Sequence, residues 1–254
     1  MWGDIAIAFL LAFITAFVIT PYSIRLAKKV GAVDYPNDRR VNKKPMPRLG
    51  GIAVIAGFLV SAIYLIITMR IENNIDFITD GLGKKLLGFL FGAMVLGITC
   101  YIDDVKGISP LAKLAGQLIA AIIVVSCGVR IDNFTIPFKE NSIMINEVIS
   151  YILTIGWIVG ITNAINLIDG LDGLSSGITL IACISMLIIF SLNESPLIAI
   201  ILITALAGAI VGFLPYNFNP AKTFIGDVGS NFMGYAISII SILGVAKTYT
   251  AIVI

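Results

Sequence analysis

Long apolar runs alternate with short polar segments along the whole chain. A helix needs about 20 apolar residues to cross a bilayer, so each long run predicts a transmembrane helix. We expect about eight full spans, with the apolar residues at the end of the chain starting another. The predicted spans are 4–24, 51–69, 86–102, 111–129, 147–165, 175–192, 197–214 and 230–246. The expected fold class is therefore all-α, a polytopic integral membrane helical bundle in which residues 1–254 form a single transmembrane domain.

The composition supports this prediction and excludes several classes of function. Of the 254 residues, 58% are hydrophobic and 13% are charged, whereas about a quarter are charged in a soluble protein. The net charge of +2 is too small to suggest nucleic acid as a partner. The chain has no histidine, and its three cysteines lie far apart in apolar runs. Neither residue type therefore forms a metal-ligand pattern.

The lysines and arginines predict the orientation of the bundle. When each is assigned to its nearer face, 11 fall on the side of the first loop and 6 on the other side. Because basic loops stay in the cytoplasm, we expect a multi-pass protein of the cell membrane with its N-terminus outside. The predicted cytoplasmic connections are 25–50, 103–110, 166–174 and 215–229, and a short hairpin is expected within the outer segment 130–146.

Four polar clusters fall on this predicted cytoplasmic side. They are "DYPNDRRVNKKPMPRLGG", "YIDDVKGISPLAKL", "NAINLIDGLDG" and "FIGDVGS". An even number of predicted spans separates each cluster from the next, so segments distant in sequence can meet at one surface. This arrangement is typical of an active site built on a helical membrane scaffold.

Two adjacent acids mark the end of the third predicted span. Asp103 and Asp104 lie there, and Lys113 lies near the start of the fourth span. A lone aspartate at a membrane boundary is commonly a solvated helix cap, since a carboxylate there needs water, a partner or a function. Two neighbouring carboxylates repel each other, which favours a cation or a lysine partner. We interpret the three residues as candidate catalytic groups.

The third cluster has helical spacing before a glycine-containing bend. Asn163, Asn166 and Asp169 follow one another at intervals of three residues, so successive members lie only about 60° apart around a helix and can share one face. Asp172 follows at the bend, and Gly173 lets the backbone approach a ligand closely. A polar turn would explain the Asp-Gly pairs but not the helical spacing. We interpret this face as a candidate substrate-binding surface.

The last cluster supplies an acid, and the first cluster supplies basic residues. Asp227 lies between two glycines directly before an apolar helix. Helix capping explains Ser230 but not the aspartate and both glycines, and free amides at a helix start favour an anion. In the first loop, most basic residues are explained by orientation and lipid contacts. Lys44 and Arg48, held in the stiff "KKPMPRLGG" segment, suit a phosphate-bearing ligand.

The polar inventory consists of oxygen ligands, lysine and arginine. Carboxylate and amide oxygens suit Mg²⁺ or Mn²⁺ rather than zinc or copper. Phosphoryl transfer uses a divalent ion on a diphosphate, cations for the developing charge, and positioning of both reactants. Convergence at a membrane face predicts one soluble and one lipid substrate.

The four clusters, in this order, resemble the polyprenyl-phosphate N-acetylhexosamine-1-phosphate transferases, the family that contains MraY, WecA and TagO. The first-loop sequence "DYPNDRRVNKKPMPRLGG" is similar to the WecA and TagO branch. The resemblance implies transfer of N-acetylglucosamine-1-phosphate from UDP-GlcNAc to undecaprenyl phosphate, which gives undecaprenyl-diphospho-GlcNAc and UMP. It also implies Mg²⁺ as the cofactor, with Mn²⁺ as an alternative, and a role in building a cell-envelope glycan such as teichoic acid or lipopolysaccharide.

The resemblance also implies roles for single residues. Asp227 matches the principal Mg²⁺ ligand of the family, and Asn166 matches a second ligand. Asp103 and Asp104 belong to the motif that handles the lipid phosphate, with Lys113 near the phosphates. Matches at the other substrate are Asp169, Asp172 and Gly173 at the nucleotide end, Phe224 stacked on uracil, and Lys44 and Arg48 facing the substrate from the first loop.

Two departures from the family pattern leave alternatives open. Asn42 stands where the first loop of the family usually has a histidine, and the chain lacks the histidine-rich C-terminal loop of the family. We therefore expect a C-terminally incomplete chain that is impaired in transfer. The alternatives are a phospho-MurNAc-pentapeptide transferase of the same family, a non-catalytic remnant and a membrane transporter, and the choice between a monomer and a homodimer is open.

Overall fold

The computed structural model describes residues 2–36, 44–73, 81–135, 142–193 and 195–244. In these ranges the chain forms eight helices, which confirms the all-α fold class. They are α1 (Trp2–Val30), α2 (Gly51–Asn73), α3 (Gly81–Lys106), α4 (Pro110–Ser126), α5 (Glu147–Ile168), α6 (Leu174–Leu192), α7 (Leu197–Asn217) and α8 (Gly226–Leu243).

Two short antiparallel strand pairs accompany the helices. Strand β1 (Val33–Asp34) pairs with β2 (Met46–Pro47) in the first loop. Strand β3 (Asn133–Thr135) pairs with β4 (Ser142–Met144), which confirms the hairpin predicted in the outer segment.

Six of the eight helices are long and apolar enough to cross a membrane, namely α1, α2, α3, α5, α6 and α7. The chain is therefore a multi-span membrane protein, but the expectation of eight full spans exceeds these six. Helix α4 has 17 residues, which is short for a span, and α8 begins with the polar "GDVGSN" sequence. The predicted start of a further helix falls in residues 245–254, outside the described residues.

Helices α7 and α8 form the buried centre of the bundle. The apolar stretch of α7 is 83% buried, compared with 22% for α1, and every residue of α8 from Val228 to Ile242 is buried. Gly208 allows α7 to approach α1 closely, because a Cβ atom there would lie 2.5 Å from the carbonyl oxygen of Phe9. Small residues at helix interfaces are the usual means of close packing in membranes.

The end of the first loop lies directly against the segment that precedes α8. Phe224 donates its backbone N–H to Pro47 at 2.8 Å, and Gly50 donates back to Phe224 at 3.0 Å. Gly51 donates to Ile225 at 2.8 Å. These backbone bonds hold the first and last polar clusters together although more than 170 positions separate them in sequence.

Candidate active site

The first loop brings Arg48 to the start of α8. Its Nε donates to Asp104 Oδ1 at 2.9 Å, and its Nη2 donates to Asp227 Oδ2 at 2.9 Å. The backbone approach depends on Gly226, where φ is +71° and an added Cβ would lie 1.9 Å from the carbonyl oxygen of Arg48. The arginine therefore joins the end of α3 to the start of α8.

Helix α4 supplies the second cation. Ser109 caps this helix by accepting the N–H of Ala112 at 3.2 Å, which places Lys113 in the first turn. Lys113 Nζ lies 3.3 Å from Asp103 Oδ2 and 3.2 Å from Asn166 Oδ1, and it also bonds to Asp227 Oδ1. Lys113 thus connects α3, α5 and α8.

Asp227 lies at the centre of these contacts. Asn166 donates its amide to Asp227 Oδ1 at 2.7 Å. Burial alone would raise the pKa of Asp227, but the hydrogen bonds from Lys113 and Asn166, with the charge of Arg48, hold that pKa below its ordinary value. The carboxylate is therefore ionised at neutral pH. We refer to the group of side chains around Asp227 as the charged cluster; its members are Arg48, Asp103, Lys113, Asn166 and Asp227.

Asp104 occupies a buried position behind the charged cluster. Its side chain has 0% relative exposure, and its two oxygens accept the backbone N–H groups of Asp227 at 3.0 Å and Val228 at 2.9 Å. Helix α8 has no cap from its own residues, so Asp104 caps it from α3. With Arg48 as its counter-ion, the carboxylate is fully engaged within the protein.

The loop between α5 and α6 carries the next two predicted acids. Asp169 accepts a hydrogen bond from Ser175 at 2.6 Å, and burial raises its pKa from 3.8 to about 6, against the opposing effect of that hydrogen bond. Asp172 accepts from the Asn219 side chain at 3.1 Å and from the Ala221 backbone at 3.0 Å. Asp172 therefore ties this loop to the segment between α7 and α8.

These elements enclose a cavity of about 1090 Å³. Its volume is slightly above the usual range for small-molecule sites, about 300–1,000 Å³. The cavity-lining residues that the sequence had predicted are Lys44, Arg48, Asn166, Asp169, Asp172, Phe224 and Asp227. The structure thus brings the first, third and last polar clusters together at one cavity. The second cluster, with Asp103, Asp104 and Lys113, lies outside the lining and reaches it through the contacts of Lys113 with Asp227 and of Asp104 with Arg48. The roles of all these residues stay predictions.

Two predicted binding residues lie outside this lining. Gly173 is the N-cap residue of α6 and has φ +70°, a backbone conformation that favours glycine. Asn163 hydrogen-bonds to Gln117 at 2.8 Å. Sequence reasoning missed Gln117, although it follows Lys113 by one helical turn, and it missed Lys222, which lines the cavity beside Tyr216.

The residues around Asp227 fit a magnesium ion that is shared with a substrate. Mg²⁺ in proteins commonly binds one or two carboxylates together with substrate phosphates and water. Asp227 supplies an ionised carboxylate next to the Asn166 amide. Within the described ranges, no group of three or more His, Cys, Asp or Glu side chains is arranged to hold a metal by itself. The donor set therefore suits an ion held jointly with a phosphate.

Comparison with known proteins finds a matching family model and relatives whose names agree with one another. Residues 86–245 match the family model described as glycosyl transferase family 4. The chain is 42% identical to a probable undecaprenyl-phosphate N-acetylglucosaminyl 1-phosphate transferase of Bacillus subtilis (strain 168), over 97% of this chain and 64% of that protein. It is 36% identical to a decaprenyl-phosphate N-acetylglucosaminephosphotransferase of Mycobacterium tuberculosis (strain ATCC 25618 / H37Rv), over 88% of this chain and 56% of that protein.

A third relative comes from the other branch considered above. The chain is 34% identical to a phospho-N-acetylmuramoyl-pentapeptide-transferase of Staphylococcus epidermidis (strain ATCC 12228 / FDA PCI 1200), over 93% of this chain and 74% of that protein. The chain spans less than two thirds of the length of the Bacillus and Mycobacterium relatives. The family model covers most of the chain, and these relatives carry the names that the motifs predicted. The chain therefore belongs to glycosyl transferase family 4, and the resemblance to the polyprenyl-phosphate N-acetylhexosamine-1-phosphate transferases is confirmed.

Proposed function

We propose that the protein transfers N-acetylglucosamine-1-phosphate from UDP-GlcNAc to undecaprenyl phosphate. An oxygen of the lipid phosphate attacks the β-phosphorus of the nucleotide sugar. The bond between that phosphorus and the bridging oxygen breaks, UMP leaves with the bridging oxygen, and undecaprenyl-diphospho-GlcNAc forms. The reaction is proposed to occur at the cytoplasmic face of the cell membrane.

The observation that carries the proposal is the meeting of two cations on one carboxylate beside the cavity. Arg48 and Lys113 reach Asp227 from the first loop and from α4. A diphosphate at this position would meet both cations, and preorganised cations that face developing negative charge are a major source of catalysis in phosphoryl transfer. This arrangement supports a diphosphate substrate more directly than a transported solute.

Asp227 and Asn166 would hold the magnesium ion together with the substrate phosphates. The ion, when bound, would neutralise charge on the diphosphate and orient it. The same donors suit Mn²⁺. Arg48 and Lys113 would then be available to the phosphate oxygens, since both lie within contact distance of the Asp227 carboxylate.

Asp103 is proposed to hold Lys113 rather than to act as a strong base. The second pKa of a phosphate monoester is near 6, so the lipid phosphate is mostly dianionic at neutral pH. Asp103 contacts Lys113 through Oδ2 at 3.3 Å and accepts the Ile108 N–H through Oδ1 at 3.0 Å. Both carboxylate oxygens therefore already have partners.

The nucleotide is proposed to bind at the end of the cavity formed by Asp169, Asp172 and Phe224. Phe224 lines the cavity, and the family resemblance assigns its ring to stacking on uracil. Lys44, also in the lining, would face the substrate from the first loop.

The choice of GlcNAc rests on the Bacillus and Mycobacterium relatives, whose names specify N-acetylglucosamine. The second candidate is transfer of phospho-MurNAc-pentapeptide, which the Staphylococcus relative favours. The "PMPRLGG" ending of the first loop supports the GlcNAc assignment, because it resembles the WecA and TagO branch.

The test is release of UMP by detergent-solubilised protein supplied with undecaprenyl phosphate and Mg²⁺. UMP released with UDP-GlcNAc but not with UDP-MurNAc-pentapeptide is the expected result. The reverse preference would assign the protein to the pentapeptide branch. No UMP with either donor from the full-length protein would rule out both activities.

A further inference from the structure

Three side-chain amides lie one helical turn from the charged cluster, on three of the four helices that supply it. Gln117 follows Lys113 by four residues on α4, and Asn231 follows Asp227 by four residues on α8. Asn163 precedes Asn166 by three residues on α5. Because residues three or four apart share a helix face, each amide lies on the same face as its neighbour in the cluster. Gln117, Asn163 and Asn231 are called below the amide layer.

The members of the amide layer hydrogen-bond to one another. Gln117 Nε2 donates to Asn231 Oδ1 at 2.7 Å and to Asn163 Oδ1 at 3.3 Å. Asn163 Nδ2 donates back to Gln117 Oε1 at 2.8 Å. Within the amide layer, Gln117 therefore connects α4 both to α5 and to α8.

The layer is also fixed to the backbones of its helices. Asn231 Nδ2 donates to the carbonyl oxygen of Asp227 at 2.8 Å, and Asn163 Nδ2 donates to that of Val159 at 2.9 Å. A shift of Gln117 would therefore act on the helix turn that carries Asp227.

Because the amide layer is largely buried, its hydrogen bonds constrain how the three helices are oriented. Gln117 has 2% relative exposure and Asn231 has 0%, so an unmade hydrogen bond cannot be replaced by bulk water. The three amides are uncharged, so they orient the helices without adding charge beside Arg48 and Lys113. Polar side chains commonly hydrogen-bond between two membrane helices without any role in function. The amide layer differs because it joins all three helices that carry Lys113, Asn166 and Asp227.

We infer that Gln117 is a positioning residue, which fixes the rotation of α4 relative to α5 and α8 and thereby sets Lys113 against Asp227 and the substrate diphosphate. This inference rests on the proposed function. Gln117 is buried, and both ends of its amide are engaged by Asn163 and Asn231, so its loss is expected to act through the placement of Lys113 and not through direct substrate contact. Misplacement of a catalytic group by about 1 Å can lower a rate about 100-fold.

The experiment compares Gln117→Met with the matched control Thr162→Val. Methionine has a length similar to that of glutamine but cannot form the hydrogen bonds of the Gln117 side-chain amide. Thr162 is similarly buried, and among the described residues its hydroxyl bonds only to the carbonyl oxygen of Ile158 in its own helix. UMP release is measured against UDP-GlcNAc concentration, together with the unfolding temperature in detergent.

Gln117→Met is expected to lower kcat about 10- to 100-fold, with the KM for UDP-GlcNAc within about threefold of wild type. Thr162→Val is expected to keep both values. Asn163→Leu is a second variant in case Gln117→Met does not fold, and it is expected to lower kcat in the same way. A raised KM with unchanged kcat in Asn163→Leu would instead indicate direct substrate contact by Asn163.

Wild-type turnover in folded Gln117→Met would overturn the inference and leave the proposed function standing. A matched loss of kcat in Thr162→Val would also overturn it, because the effect would then belong to any buried polar group of this region. An inactive wild-type protein would overturn the proposed function and the inference together.

Discussion

Asp227 is the residue on which the charged cluster depends. One of its oxygens faces Arg48, and the other faces Lys113 and Asn166. Its backbone N–H is bound by Asp104, so the position of the carboxylate is set by three other helices and the first loop. A residue with this many oriented partners can hold a substrate-shared ion with little reorganisation.

At Asp103, we expect substitution to cause a pH-independent defect in turnover. Asp103→Asn keeps the size of the side chain but weakens its attraction to Lys113, so kcat is expected to fall about 10- to 100-fold across the whole pH range. The measurement is a pH–rate profile of variant and wild type from pH 6 to 9. If the lost activity returned fully at high pH, where the lipid phosphate ionises unaided, Asp103 would be the general base and the positioning role would be wrong.

At Asp169, we predict opposite effects on stability and activity. Burial raises the pKa of the Asp169 carboxyl, so at a pH above that pKa its ionised form destabilises the folded protein. The pKa shift from 3.8 to about 6 limits this destabilisation to about 3 kcal/mol. Asp169→Asn removes the charge and keeps an acceptor for Ser175, so the unfolding temperature at pH 7.5 is expected to rise by several degrees while UMP release falls. An unfolding temperature below that of wild type would contradict this account of Asp169.

At the scale of the element, the start of α8 depends on a cap supplied by another helix. Asp104→Asn removes the charge that binds Arg48 and leaves one good acceptor for two backbone N–H groups. Loss of a helix cap destabilises by about 0.5–2 kcal/mol, and the unpaired arginine adds to this. We expect a lower unfolding temperature and at least about tenfold lower turnover.

Asp132→Asn is the control for Asp104→Asn. The Asp132 side chain is 64% exposed, and its ion pair with Arg130 spans 4.0 Å, so its replacement is expected to have little effect. Equal stability of Asp104→Asn and the control would show that the cap at α8 is unimportant.

The junction between the first loop and α8 gives a second test at this scale. A Cβ at Gly226 would lie 1.9 Å from the Arg48 carbonyl oxygen and 2.8 Å from Asp104 Oδ2. Gly226→Ala is therefore expected to displace Arg48 and to reduce UMP release to background. Gly107→Ala is the matched control, because Gly107 also has φ +71° but has open space around it. Equal activity of the two variants would contradict the close approach at Gly226.

At the scale of the whole molecule, hydrophobic runs predicted the helices well. Each of the eight predicted spans overlaps one observed helix, because the apolar length that crosses a bilayer is visible in sequence. The polar ends were harder to assign. Asp103 and Asp227 were expected in loops or at their edges, but they lie in helical turns, since tertiary contacts such as the Asp104 cap extend the helices.

Sequence also predicted most of the cavity-lining residues but not how they are held. Because the polar clusters fall on one predicted side of the membrane, the sequence predicted that Arg48, Asn166 and Asp227 lie close together, and all three line the cavity. The burial of Asp104 and the amide layer around Gln117 depend on contacts between residues separated by 46 or more positions. No local pattern encodes such pairings, so the sequence did not indicate that Asp104 caps α8, and Gln117 was missed.

The most direct test of the central claim follows the β-phosphorus of the donor. Solubilised protein receives undecaprenyl phosphate, Mg²⁺ and UDP-GlcNAc that carries ³²P at the β position, and label is measured in the butanol-extracted lipid. The account predicts that the label enters the lipid fraction together with release of one UMP per transfer, and that Asp227→Ala abolishes both. Label that remains in the aqueous phase as UDP while GlcNAc enters the lipid would contradict it.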